Sequence, residues 1–281
     1  MQSAFYTAAE IRERLSISTL VLHRYKPLCE QSLTELVEKG IERIELIESV
    51  EQYEFSDRDS MRLVGQICRA AGVRVAAYHA HKTNLNDVDT EQRRVDWVER
   101  CKHQIDSLTE LGGTLWGCHA GDTRDGAVKK SYEELARHCE GTSVVITIEN
   151  FSRNGVFVED RVRFLDELDH PKVGMILDIG HVRDGKDQNP MTRAGGPTEI
   201  VGICGHRLKH VHLHGFVDTD HYPPFYEGDR IQWVELFGML KSVEYEGLIN
   251  FEPSTSRARD GVLEAIGAFP ESIVEMANSS P

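Results

Sequence analysis

Four of the thirteen histidines fall within twelve positions: His210, His212, His214 and His221, in KHVHLHGFVDTDHY, residues 209–222. The first three alternate with Val211 and Leu213. A β-strand sends successive side chains to opposite faces, so these three imidazoles share one face. Imidazole aligned with carboxylates points to metal or proton chemistry. Three carboxylates have the right setting: Glu149 in SVVITIEN, Asp178 in KVGMILDIGHV and Glu252 in GLINFEPS. A carboxylate in such apolar surroundings is costly unless it is paired, hydrogen-bonded or bound to a cation. Three of them at one place would repel one another, and a divalent cation removes that repulsion. Glu149, Asp178, His212 and Glu252 therefore make an O3N ligand set for one divalent metal ion. Manganese is the foremost candidate, with magnesium, cobalt and zinc as alternatives.

Residues so far apart in the chain need a scaffold that gathers them. Eight β-rich runs supply one, at 17–23, 43–49, 73–81, 113–121, 143–150, 172–182, 208–216 and 247–254. Helix signals lie between them. Ser32 and Glu35 have capping-box spacing ahead of LTELVEKG, with Gly40 as the stop, and Ser131 and Glu134 repeat that start. Met61, Val64, Cys68 and Ala71 mark one helical face. Strand-then-helix units in this number predict parallel pairing closed into a single (β/α)8 TIM barrel. No linker or low-complexity tract divides the chain, so residues 1–281 read as one domain.

Active sites of such barrels gather at the C-terminal ends of the strands. Read along those ends, the runs give His79 and His81, His119, Glu149, Asp178 followed by His181, His212 and His214, and Glu252. The opposite ends carry Val, Gly, Ser, Lys and Leu. Acids and imidazoles thus collect at one end. His79 and His119 are expected to line the pocket, and His214 divides between substrate contact and loop structure. His210 shares the face of His212 one layer deeper, which favours core packing. Glu45 and Glu48 have opposite parity, and Glu48, nearer the strand end, is the pocket candidate. Trp116 and Cys118 have parity opposite to His119 and should face the helices. Arg183, in the long loop VRDGKDQNPMTRAGGP, and Arg257, after Glu252, could anchor substrate hydroxyls or a phosphate. Asp220 and His221 read as loop or substrate contacts.

Composition narrows the partners. The 281 residues include 46 acidic and 32 basic side chains, a formal charge of −14. That balance disfavours a nucleic-acid partner or an anionic membrane surface, which call for a basic face. Six scattered cysteines without C-x-x-C spacing read as reduced core thiols. There is no apolar leader and no apolar run approaching about 18 residues, which suits a cytoplasmic protein.

At IEN (149), LDIGH (177–181), VHLHG (211–215) and FEP (251–253), the chain resembles the sugar phosphate isomerase/epimerase family of the xylose isomerase-like TIM barrels. That superfamily also contains endonuclease IV. The likeness covers roughly residues 17–255. It implies a metal-dependent isomerase or epimerase in which Glu149, Asp178, His212 and Glu252 bind one ion. Glu149 and Glu252 would be the acid/base pair that moves a proton through a metal-stabilised enediolate of a small carbohydrate. His181 would contact substrate. The endonuclease IV side of the resemblance implies an alternative, a multi-zinc hydrolase in which His79 and His119 become ligands. A lyase or dehydratase acting on a sugar or polyol is a further alternative, and a homo-oligomer is compatible with all of these.

Overall fold

A computed structural model describes the chain except residues 1–4, 24–25, 49–52, 54–56, 81–84, 86–88, 121, 152–156 and 280–281. Strands β1 (Leu15–Ser18), β2 (Arg43–Ile47), β3 (Arg74–Ala80), β4 (Leu115–His119), β5 (Val145–Glu149), β6 (Val173–Asp178), β7 (Leu208–Leu213) and β8 (Ile249–Phe251) form a closed barrel in chain order. Every neighbouring pair is parallel, including β1 with β8, so no strand edge is left open. Helix α1 (Ala8–Glu13) precedes β1. The crossovers are α2 (Glu30–Glu38), α3 (Arg58–Ala70), α4 (Glu91–Leu111), α5 (Gly126–His138), α6 (Val158–Leu168), α7 (Gly196–Cys204) and α8 (Trp233–Ser242), and α9 (Val262–Ser279) follows β8.

Strand parity sorts the side chains into a barrel interior and a helix-facing layer. Trp116 is buried on the outer side, where its indole N–H donates to Gln104 Oε1 of α4 at 3.3 Å. Cys118 faces the same layer, 3.0 Å from the Tyr132 hydroxyl of α5. Met61, Val64, Cys68 and Ala71 are buried together along α3. Inside the barrel Gly117 leaves room for Ile176, whose Cδ1 would lie 2.5 Å from a Cβ there.

Three expectations shift. The first run is a strand only over Leu15–Ser18, because the Ser18 hydroxyl accepts the Leu20 N–H and turns Thr19–Leu22 into a 3-10 helix. Ser32 is not the cap of α2 but lies in its first turn, where its hydroxyl accepts from the backbone N–H of the capping residue, Cys29. Gly40 does close that helix, in the left-handed region at φ 77°. Ser131 lies inside α5, whose cap is Asp125 accepting from Ala127 N–H at 2.8 Å. The Ser131 hydroxyl donates instead to the Ala127 carbonyl and accepts from Arg94. At α5 the earlier Asp125 takes the capping role expected of Ser131. Among the described residues no helix is long and apolar enough to cross a membrane.

Candidate active site

The ends of β5, β6, β7 and β8 bring Glu149, Asp178, His212 and Glu252 to one point. His212 Nδ1 lies 3.6 Å from Glu149 Oε2, 3.8 Å from Asp178 Oδ2 and 3.3 Å from Glu252 Oε2. All four side chains are buried. Register explains the meeting: Asp178 pairs with His212 across β6 and β7, and His119 pairs with Glu149 across β4 and β5. Asp178 is held on both sides. Its backbone N–H donates to Asn150 Oδ1 at 2.7 Å, and Asn150 Nδ2 donates to its carbonyl at 2.9 Å. Its Oδ1 accepts from the N–H groups of Gly180 and His181 and from His214 Nε2, which leaves Oδ2 turned to the cluster. Gly180 permits this turn, because a Cβ there would fall 2.0 Å from His214 Cε1.

Burial by itself would push these carboxyls upward. The imidazoles around them outweigh it, and Glu149, Asp178 and Glu252 are held well below the carboxylate range. Burial likewise opposes charge on His212, but Glu252 and Glu45 lift it well above the ordinary imidazole value. His181 rises to about 10 against its own burial, through Asp178 and Glu149. The cluster therefore favours positive charge, and its own imidazoles His181 and His212 are drawn toward the charged form.

A divalent ion fits the same demand. Among the described residues Glu149 Oε2, Asp178 Oδ2 and His212 Nδ1 are buried without a hydrogen-bond partner, although native interiors rarely leave such atoms unsatisfied. Donor atoms about 2.1 Å from one ion sit roughly 3.0–3.5 Å apart, close to the spacings here. Asp178, His212 and Glu252 form one potential ligand group, and Glu149 belongs to two more, with His79 and His212 and with Asp178 and His181.

The closed eight-stranded barrel has known counterparts. Residues 33–272 match the xylose isomerase-like TIM barrel family. The chain belongs to that family. An uncharacterized protein of Methanocaldococcus jannaschii, MJ1311, is 25% identical over 201 residues, which span 64% of this chain and 64% of that protein. Two solved structures share the fold. A D-psicose 3-epimerase from Clostridium cellulolyticum H10, solved with D-tagatose, matches with TM-score 0.67 at 15% identity over 94% of this chain and 98% of its own. A xylose isomerase-like TIM barrel protein from Mycobacterium smegmatis, in complex with magnesium, matches with TM-score 0.70 at 14% identity over 98% and 99%.

The remaining site residues occupy distinct places in this xylose isomerase-like barrel. His79 is buried between the two glutamates, with Nε2 3.3 Å from Glu149 Oε2 and Nδ1 3.6 Å from Glu252 Oε1. His81 lies outside the described residues. His119 is 19% exposed and His181 12%, so they are on the accessible side of the cluster. His119 stacks on Phe151 at 4.5 Å and reaches Glu149 Oε2 at 3.4 Å, and His181 Nδ1 donates to Glu149 Oε1 at 2.6 Å. His214 is fully buried and its nitrogens face Asp178 and the His221 N–H, so it supports Asp178. Arg183 donates to the carbonyls of Gly180 and Val182, bracing its own loop, because a guanidinium so close to the turn finds backbone acceptors first. Arg257 is exposed beside Thr219, where the loops after β7 and β8 meet. Asp220 and His221 join His181 in a further potential ligand group.

Glu48 is a correction. It sits one residue beyond β2 and turns to the helix layer, where Arg100 and Gln104 of α4 donate to it. Glu45 instead faces the barrel interior below the cluster, as does His210. Proximity to the strand end favoured Glu48, and parity alone left the choice open. Asn150 and Ser18 also escaped sequence reading, although the Asn following a strand-ending Glu was a usable signal in IEN.

Proposed function

We propose that this barrel is a divalent-metal-dependent isomerase or epimerase of a small sugar or sugar derivative. The observation that carries the reading is the convergence of Glu149, Asp178 and Glu252 on His212 Nδ1, with three of the donor atoms unsatisfied among the described residues. Sugar epimerase chemistry in a barrel of the same fold supports it. Bound there, a divalent ion, manganese first among those to be tried, supplies Lewis acidity that makes the C–H beside a sugar carbonyl acidic. The proton itself is handled by side chains. Glu149 keeps Oε1 toward His181, and Glu252 keeps Oε1 toward Ser18, 3.3 Å away, while their other oxygens face the cluster. Both are held ionised, so either can take the α-proton, and the other, after gaining a proton from solvent, returns it to the opposite face. Return to the same carbon gives an epimer; return to its neighbour gives an isomer. His181 relays a proton from Glu149 or holds a substrate hydroxyl, and His119, Phe151 and Arg257 shape the entrance. His79 keeps the two glutamates apart.

The test is solvent exchange. Metal-loaded protein incubated in D2O with ketohexoses, pentoses and their phosphates should place deuterium beside the carbonyl, read by NMR. Glu149→Gln and Glu252→Gln should each slow this by at least about 100-fold. A folded, metal-loaded chain that exchanges no proton of any such sugar would overturn the reading.

A second reading, a multi-metal hydrolase, is favoured by one feature. His79 and His119 flank Glu149 Oε2, and His181, Asp220 and His221 group together, so positions for further ions adjoin the first. Metal analysis separates the two: one ion per chain fits the isomerase, whereas two or three zinc ions with phosphodiester cleavage fit the hydrolase.

A further inference from the structure

Glu45 is fully buried in the middle of the barrel and, among the described residues, pairs with no lysine or arginine. It meets His210 Nε2 at 3.2 Å, His212 Nε2 at 3.1 Å and Asn250 Nδ2 at 2.7 Å. The two strands that supply His212 and Glu252 thus supply, two residues earlier, the groups that hold Glu45: His210 on β7 and Asn250 on β8. Asn250 is also the register partner of His212. A carboxylate so placed is expensive, and its position along the His212 ring suggests what it is for.

We propose that Glu45 is the positioning residue of the metal centre. It accepts the Nε2–H of His212 and so holds the ring with Nδ1 turned to Glu149, Asp178 and Glu252. An anionic acceptor at Nε2 fixes that orientation more firmly than a neutral amide. Asn250 and His210 keep the Glu45 carboxylate from rotating away. The inference rests on reading His212 as a metal ligand and deepens that reading.

The experiment compares Glu45→Gln with Glu48→Gln, a buried carboxylate of the same chain segment that faces the helices. Mn2+ affinity is measured by titration calorimetry, alongside thermal melts after chelation. Glu45→Gln should weaken Mn2+ binding about 10- to 100-fold, the size expected for an outer partner of a ligand histidine, with little change in the chelated melt. Glu48→Gln should bind Mn2+ like the unsubstituted chain. Undiminished Mn2+ affinity in folded Glu45→Gln would overturn the proposal and leave the metal reading intact. A folded, unsubstituted chain that binds no divalent ion would sink both. Should Glu45→Gln fail to fold, Glu45→Asp decides: its shorter side chain draws the carboxylate back from His212, so weaker Mn2+ binding in the folded variant is expected, and undiminished affinity would refute the assignment.

Discussion

Asp178 shows how one side chain serves both fold and site: Oδ1 is consumed by two backbone N–H groups and His214, and Oδ2 is left for the cluster. Its neighbours then carry the pH dependence. Burial opposes charge on His181, but Asp178 and Glu149 raise it to about 10, against an ordinary value of about 6.5. A raised imidazole contributes stability that is fully present below its unfolded value and is lost as pH climbs through the folded one. The chelated protein should therefore lose thermal stability between about pH 6.5 and about 10. A bound divalent ion replaces the imidazolium charge, so the loaded protein should lose less over the same range. Melts in matched buffers with EDTA or Mn2+ measure both slopes; equal slopes would contradict this account. The imidazolium of His212 must also give up a proton when the ion binds, so loading should release protons.

At the scale of elements, the tie between β5 and β6 matters most. Asn150 follows Glu149 directly and makes a reciprocal pair of hydrogen bonds with the Asp178 backbone. It thereby locks two ligand-bearing strand ends together. Asn150→Ala strips partners from a buried N–H and a buried carbonyl, which should cost about 2–4 kcal/mol of folding stability. Urea denaturation of the chelated protein checks that loss, and Mn2+ titration should show weaker binding because Asp178 is no longer fixed. The helical layer contributes differently: α4 takes up Glu48 through Arg100 and Gln104 and the Trp116 indole through Gln104. These contacts keep the outer polar groups of β2 and β4 away from the interior.

For the whole molecule, the ligands come from four separate strands, so an ion that holds them together favours the closed barrel over the unfolded chain. At a free concentration about 1000-fold above its dissociation constant, it should add about 4 kcal/mol. For a chain of this size that corresponds to a rise of roughly ten degrees in melting temperature, reversed by chelation. Differential scanning calorimetry with and without Mn2+ reads it directly, and no shift would count against a site shared by the four strands. The net charge of −14 also bears on function, since it opposes close approach of a polyanion such as DNA and leaves a small sugar unaffected.

Eight β-rich runs with helix signals between them were enough to establish the barrel and to bring Glu149, Asp178, His212 and Glu252 to one end of it. Parity depends only on counting along a strand, and it placed Trp116, Cys118 and His210 correctly. Where each strand stops is set by competition among nearby polar groups, and so the first strand ended early at the Ser18 turn. The choice between Glu45 and Glu48 required knowing which neighbours lie across the barrel and which lie on α4. The roles of His214 and Arg183 likewise depended on partners that local sequence does not reveal: Asp178, 36 positions away from His214, and the Gly180 turn. Periodicity is a local property of the chain and can be read from it. The partner of a buried charge is decided by closure of the barrel, which brings distant strands within hydrogen-bonding reach.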